Sequence, residues 1–544
     1  MASGVRGEST APCSSAGNFL RLARYGPEAY LLSFAEQAVD SLAQRSRRLS
    51  DTVNRNPPPG LREVVPGLTN LLLEFVNSPD HLTICRWFER CRLAMAADFT
   101  LPPDRPRRSL REIPVDFSGP DLARVAAHSG LDFDAFLSRF IEARYTVQCL
   151  GFSPGFPYLT GLPASLETPR LSRPRIRVPA GSVAIGGSHV GIYPHASPGG
   201  WNLLGQTSVA LCQWEANSPE NMFLLQPGDQ VSFTRLTGLP TPTPTPTPGP
   251  ATGSVPEIAG DQNVGLLKVL NSGMGITIQD LGRPGYRRFG VPQGGAMDSS
   301  LVAAANRLLD NSAGDAVLEL CGWGHRLEAQ KDLWLAVAGL HARGCRATTL
   351  RLKAGERVDF SPDGYPGLWT YVATVGGFHE REFLGSVSAS PRAGVGRMLQ
   401  PGDILSAARP HEPGWPSAVA RRSLPALVPI GLPIGVWPGP QYHLFPDSVR
   451  DDFFRQQWAI SRHSDRVGFR LVGTPLSFHL DEMTSEPVLP GSIQVTPDGS
   501  PIVTMPDGPT LGGYPKLGLV ERDNLRRLAQ LPPGRSVKFE LIGN

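Results

Sequence analysis

Arg170, Arg175 and Arg177 are among the arginines that crowd a stretch stiffened by Pro169 and Pro174, just ahead of Val178-Pro179-Ala180-Gly181. A guanidinium presents a planar fork of donors that fits carboxylate or phosphate, and proline lowers the entropy lost when the segment orders. Further on, Ser197-Pro198-Gly199-Gly200-Trp201 is a glycine turn whose amides can form an anion nest beside an aromatic ring. Each feature also has an ordinary reading: arginines paired with local acids, and a turn that only reverses the chain.

Later loops carry more polar groups on glycine turns, the usual setting for binding and catalytic residues. They are Gln279-Asp280-Leu281-Gly282-Arg283-Pro284-Gly285, Gly294-Gly295-Ala296-Met297-Asp298 and Ser464-Asp465-Arg466-Val467-Gly468-Phe469-Arg470. Asp507 with Thr510, Gly512, Gly513, Tyr514 and Lys516 adds an acid, a nest and an ammonium group. Glu319, Glu486 and Asp507 are general-base candidates through their nearness to these loops. For Asp465 with Arg466 and Arg470, an internal salt bridge is the competing reading.

Several chemistries are excluded. Of 52 basic residues only Lys268, Lys331, Lys353, Lys516 and Lys538 are lysines, and none follows a GxxxxG stretch or sits in a biotin-carrier turn. Gly151-Phe152-Ser153-Pro154-Gly155 matches the GxSxG nucleophile elbow, but Pro154 has no N–H to give an oxyanion hole. That loop is instead expected to present Phe156 and Tyr158. The eleven histidines show no metal-ligand spacing, and His189 and His195 read as structural or surface residues. The seven cysteines include no CxxC, so no metal is expected and a reduced cytoplasm is the default. A net charge of +3 gives no basic patch for nucleic acid, and no apolar run is long enough for a membrane span.

The elements that position these loops follow from length and punctuation. A chain of 544 residues exceeds one core, and 59 Gly with 54 Pro favour short strands joined by tight turns. Residues 1–18 read as a disordered tail. The Pro/Thr-rich run within 236–263 reads as a semi-rigid polyproline tether between halves at 19–235 and 264–544. An echo links the halves: Gly181-Ser182-Val183-Ala184-Ile185 runs on to Gly199-Gly200-Trp201 and Gly205, as Gly491-Ser492-Ile493-Gln494-Val495 runs on to Gly512-Gly513-Tyr514 and Gly518. Related β-barrel modules in both halves are therefore expected. Apolar spacing predicts helices over 122–128, 133–144 and 299–310, the last capped by Asp298.

Two ordered sets of motifs carry a family resemblance. Gly151-Phe152, Pro154-Gly155-Phe156, Tyr158-Leu159, the Pro-Arg pairs, Val178 to Val183, and Tyr193-Pro194 with Ser197 to Trp201 resemble the B subunit of 5-oxoprolinase, the KipI or allophanate hydrolase subunit 1 family. The run from Gln279 to Asp298, then Ala305 to Leu308, Gly396-Arg397, Ser464 to Leu471, Ser485 to Pro501 and Gly512 to Lys516 resembles the C subunit of the same enzyme, the KipA family.

The resemblance implies a mostly β fold with α+β elements and cyclophilin-like barrels. It implies a fused component of an ATP-dependent lactam hydrolase that opens 5-oxo-L-proline to L-glutamate. ATP, with Mg, would be a co-substrate, no biotin would be attached, and a separate LamB/YcsF-like A subunit would be required, so the chain would be inactive alone. A homo-oligomer is left open. Motif position and resemblance together give Asp280, Arg283, Asp465, Glu486 and Asp507 as expected catalytic residues. Expected substrate or nucleotide contacts are Arg170, Arg175, Ser182, Tyr193, Gly199, Gly200, Trp201, Asp298, Arg397, Arg466, Gln494, Gly512, Gly513, Tyr514 and Lys516.

The sequence departs from the family pattern at Phe140, where a histidine is usual, at Gly339-Leu340-His341, at Ser386-Val387-Ser388-Ala389 and at Gly508-Pro509. If a lost group were catalytic, the substrate would have shifted or the protein would be a regulator. Two alternatives remain beside the oxoprolinase: a carboxyltransferase-like component of a urea or amide enzyme, and a KipI/KipA-like regulator of a sensor histidine kinase. In urea carboxylase the C-like half precedes the B-like half between biotin modules, so the B-first order here favours the oxoprolinase.

Overall fold

A computed structural model describes residues 20–34, 39–98, 110–171, 173–215, 218–236, 265–341, 344–363, 367–409, 432–478 and 483–543. The expected tail, the tether beyond residue 236 and the side chain of His341 lie outside the described residues.

Alternating apolar residues build a barrel in the first half. Val183, Ile185, Val190, Ile192, Val147, Leu159, Val231 and Phe233 point into one core, closed at one end by Val125, Phe136 and Phe140 from helices Leu122–His128 and Phe133–Glu142. Its strand order is Asn202–Gln206, Ser182–Gly186, His189–Ile192, Pro157–Thr160, Tyr145–Leu150, Gln230–Arg235, Leu110–Val115. Paired hydrogen bonds between Asp116 and Gln206, 2.8 and 2.9 Å, join the two edges.

The second half repeats this order. Lys516–Val520, Ser492–Val495, Pro501–Thr504, Gly468–Val472 and Trp458–Ile460 lead to the interrupted strand Ser536–Val537 and Phe539–Leu541. Ile434–Pro438 then closes the ring by pairing with both Phe539–Leu541 and Lys516–Val520. The registers agree as well. Val183 pairs with Gly205 and Ala184 with Leu203 across a bulge; Ile493 pairs with Gly518 and Gln494 with Lys516 across a bulge at the same place. The echo read from the sequence is thus a duplicated, nearly closed barrel.

Each barrel has companions. Strands Leu20–Arg24, Ala29–Phe34, Asn70–Phe75 and Leu61–Pro66 form an antiparallel sheet against helices Val39–Arg55 and His81–Asp98. In the second half, a five-stranded and a four-stranded sheet pack around Leu318, Val337 and Val372, and helix Ser299–Leu308 covers the five-stranded one. Asp298 caps that helix, accepting from Ser300 N at 3.1 Å and Leu301 N at 3.3 Å.

The halves share cores. Phe289, Val291, Phe383 and Val395 enter the first barrel's cluster, and Leu489 and Leu519 pack on Tyr25, Leu31 and Leu72. Phe140, where a histidine was expected from the family pattern, is fully buried, with its ring 5.2 Å from Phe233. The Tyr145 hydroxyl donates to its carbonyl at 2.8 Å. Among the described residues no helix is long and apolar enough to cross a membrane.

Candidate functional site at the seam between the halves

Strand alternation sends Val190 and Ile192 into the first barrel and leaves His189 and Gly191 on its outer face. Two glycines admit an indole there: a Cβ on Gly186 would lie 2.5 Å from the Trp201 ring, and one on Gly191 would lie 2.9 Å from it. Phe156 and Tyr158 meet Trp201 edge to face at 5.5 and 5.6 Å, and Tyr193 meets Phe156 at 5.1 Å. Phe152, held at φ 66°, closes this cluster.

The segment carrying Arg170 is fixed beside the cluster. Leu171 N donates to Gly200 O at 2.7 Å, and Asn202 Nδ2 donates to Pro169 O at 3.0 Å. The Arg170 guanidinium stands 6.0 Å from the Trp201 ring centre and donates to Ser485 Oγ at 3.2 Å. A Cβ on Gly513 would come within 2.5 Å of Arg170 Nη1. One half thus supplies the cation and the aromatic wall, and the other supplies a hydroxyl and a glycine turn. Burial pushes the Tyr158 phenol up to about 12 and raises Tyr193, so both keep their protons at neutral pH. Burial, helped by the charge of Arg170, pushes His189 down to about 4. Its Nδ1 lies 3.2 Å from Ser188 Oγ.

The polar groups of the second half form dense hydrogen-bonded networks. Arg466 grips Asp507 through Nε and Nη2 at 2.8 and 2.9 Å, reaches Glu319 with Nη1 and donates to Gly295 O at 2.7 Å. Glu319 also accepts from Met297 N at 2.7 Å and the Tyr371 hydroxyl at 2.9 Å. Burial raises Glu319; it also opposes the charge on Arg466, but Asp507 and Glu319 outweigh it and hold the guanidinium protonated. Asp280 accepts from Gly282 N, Val387 N and the hydroxyls of Ser386 and Ser388, at 2.5 to 2.9 Å. Ser386 and Ser388 lie in the segment Ser386-Val387-Ser388-Ala389, whose departures from the family pattern fall at Val387 and Ala389. Arg283, 1% exposed, donates to the carbonyls of Phe383 and Ser388, and burial lowers it to about 10. Lys516, fully buried, pairs with Glu486, which also accepts from Gln441 at 2.7 Å and from Asn70 of the first half at 2.9 Å. These networks hold loops in place.

The model for the carboxyltransferase domain, subdomains C and D, matches residues 20–224, and that for subdomains A and B matches residues 289–541. The 5-oxoprolinase C subunit of Escherichia coli (strain K12) is 33% identical over 289 residues, 50% of this chain and 90% of that protein. The 5-oxoprolinase B subunit of Escherichia coli O157:H7 is 41% identical over 184 residues, 32% of this chain and 78% of that protein. The chain belongs to the carboxyltransferase-domain family of the 5-oxoprolinase B and C subunits. The crystal structure of TTHA0988 matches this B–C fusion with a TM-score of 0.76 and 35% identity, covering 94% of this chain and 99% of that one. Urea amidolyase of Lachancea kluyveri is more distant, at 29% identity over 50% of this chain and 17% of its own length.

Within this B–C family member, the seam gathers Arg170, Tyr193, Trp201, Gly513 and Tyr514 of the expected residues. Gly199 lies under the Tyr193 hydroxyl, and Gly200 anchors Leu171. Arg175 serves the wall from behind, paired with Asp121 at 2.7 Å and donating to Trp201 O at 3.3 Å. Ser182 is buried in its strand, and Gln494 donates to Thr504 at 2.9 Å with its other amide atom against Gly512. Asp465 caps Val467 N at 2.9 Å and pairs with Arg392 at 2.7 Å; Arg397 pairs with Asp403. Ser153 is buried with no hydrogen-bond partner for its hydroxyl among the described residues, so the structure gives it no base. Among those residues no group of three His, Cys, Asp or Glu side chains is set to hold a metal.

Sequence reasoning missed the role of Ser485 at the seam and a buried staple in which Arg287 meets Glu63 and Glu74. The readable signal for Glu74 was a lone carboxylate in the apolar strand Asn70–Phe75. Ser485 carries no comparable signal, because its partner Arg170 lies in a distant segment.

Proposed function

We propose that this chain is the fused B–C component of a 5-oxoprolinase that opens 5-oxo-L-proline to L-glutamate with hydrolysis of ATP, working with a separate A subunit of the LamB/YcsF type. The observation that carries this reading is the seam. Arg170 from the B-like half meets Ser485 and Gly513 of the C-like half, so groups suited to an oxyanion converge where the two halves join.

A lactam is resonance-stabilised, and ATP would supply the phosphoryl group that activates its amide oxygen. The residues present fit an anionic ligand: the missing side chain of Gly513 leaves room for the Arg170 guanidinium. Arg170, with the glycine turn at Gly513 beside it, would hold a carboxylate or phosphate, while Phe156, Tyr158 and Trp201 would exclude water from one side. Magnesium would arrive on the nucleotide phosphates, keeping most of its water ligands.

Release of ADP and L-glutamate from 5-oxo-L-proline and ATP tests the reading, with the purified chain by itself and then together with the LamB/YcsF-type partner. Glutamate that appears only when the partner is present is the expected result. ADP without glutamate would redirect the search to another amide. Neither product, with a partner shown competent beside other B and C subunits, would overturn the proposal.

A further inference from the structure

His189 pairs across the sheet with Gly186. Such partners carry their Cβ positions about 5 Å apart on the same face, and the Gly186 position is covered by the Trp201 indole. The His189 imidazole therefore stands beside Trp201, on the face where the Arg170 guanidinium is held 6.0 Å from the ring centre. Alternation agrees, since Gly191 on the same side of the strand touches both Trp201 and Phe156. The residue is half-buried, and Nδ1 is engaged by Ser188 Oγ at 3.2 Å. In the tautomer whose Nδ1–H donates to Ser188, Nε2 is left as an acceptor. Burial keeps the ring neutral, so it adds no charge to that of Arg170.

We propose that Arg170 and His189 form a two-point clamp for a small carboxylate bearing an N–H on the carbon next to the carboxylate: the guanidinium takes the carboxylate and His189 Nε2 accepts from the N–H. A lactam acid and an acylated amino acid both have this pattern; acetate and phosphate lack it. The choice of 5-oxo-L-proline as the ligand rests on the oxoprolinase reading above, whereas the clamp rests on the seam geometry alone.

The test uses the full chain labelled with 15N-histidine. The His189 resonance is assigned by its loss in His189→Gln, and the probes are 5-oxo-L-proline, N-acetylglycine, sodium acetate and inorganic phosphate. The clamp predicts that 5-oxo-L-proline and N-acetylglycine shift the His189 Nε2 signal and that acetate and phosphate do not. Arg170→Ala should abolish the shift. His189→Ala should weaken 5-oxo-L-proline binding about tenfold, the scale of one lost hydrogen bond, and His189→Gln should recover part of it through its amide oxygen. With the LamB/YcsF-type partner present, the same variants should raise KM with little change in kcat.

If N-acetylglycine shifts the signal and 5-oxo-L-proline does not, the clamp stands and the oxoprolinase reading fails. If neither amide shifts it, or if acetate and phosphate shift it equally, the clamp is overturned, whatever turnover the assembled enzyme shows.

Discussion

Arg287 and Glu63 join the two halves through a hydrogen-bonded ion pair with both side chains 3% exposed: Nε lies 2.9 Å from Oε2, and the Arg287 backbone N–H lies 2.7 Å from Oε1. Glu74 takes a second branch of the same guanidinium. Such a pair adds little net stability over an apolar pair of the same shape, yet it is costly to break, because the survivor is left charged and dry.

Arg287→Met should therefore cost about 3–5 kcal/mol, read as a fall in the urea midpoint. Arg326→Met is the control, since Arg326 and Asp359 are 52% and 61% exposed and their pairing should matter little. Equal shifts in the two variants would show that the staple does not hold the halves together.

The same logic separates folding from chemistry at Lys516. Its ammonium is fully buried on Glu486, whose remaining donors are Gln441 and Asn70. Lys516→Met should lose about 3–5 kcal/mol, with activity falling in step with the folded fraction and KM unchanged. Adding Glu486→Gln should restore part of the loss, because the stranded carboxylate is removed. A fully folded Lys516→Met protein with no activity would instead place Lys516 in the chemistry.

These contrasts mark what the sequence could and could not show. The duplicated barrel was legible because a bulged strand pair needs the same glycines at Gly205 and Gly518, and short motifs preserve them. Helices Leu122–His128, Phe133–Glu142 and Ser299–Leu308 were legible from apolar spacing and an Asp cap. The site was legible in residue type but not in grouping. Asp280, Arg283, Asp465 and Arg466 look alike as charged residues on glycine turns, and only the fold shows their charges spent on neighbouring loops. The seam depends on Arg170 and Ser485, 315 positions apart, and no local pattern encodes such a contact. Helices Val39–Arg55 and His81–Asp98 were missed, and with them the sheet that supplies Glu63 and Asn70.

His195 makes a pH prediction. It is 3% exposed, both ring nitrogens lack hydrogen-bond partners among the described residues, and burial pushes it down to about 4. The unfolded chain takes up its proton near the ordinary histidine value, about 6.5, and the folded one does so only near 4. The resulting stabilisation is complete above pH 6.5 and is lost as pH falls toward 4, a change of about 3 kcal/mol. His195→Leu should leave stability at pH 7.5 unchanged or higher, since two unpartnered buried nitrogens are removed, and should flatten the slope of the urea midpoint between pH 6.5 and 4.5. His189 titrates in the same direction, so the flattening is partial. An unchanged slope would mean that His195 is solvated in the folded protein.

Gly513 offers a way to disturb the seam without removing a functional group. A Cβ there would meet Arg170 Nη1 at 2.5 Å and Met483 O at 3.2 Å, so Gly513→Ala forces the guanidinium aside. The displaced atom is the end of a flexible side chain, and the melting temperature should move little. Binding of 5-oxo-L-proline should weaken about tenfold, the scale of one lost charge-assisted contact. Because both substitutions act on one guanidinium, Gly513→Ala combined with Arg170→Ala should bind no worse than Arg170→Ala alone. Additive losses measured by calorimetry would show that Gly513 acts on the ligand by another route. Two independent contacts would then be needed where the structure places one: a guanidinium from the first half seated in a glycine notch of the second.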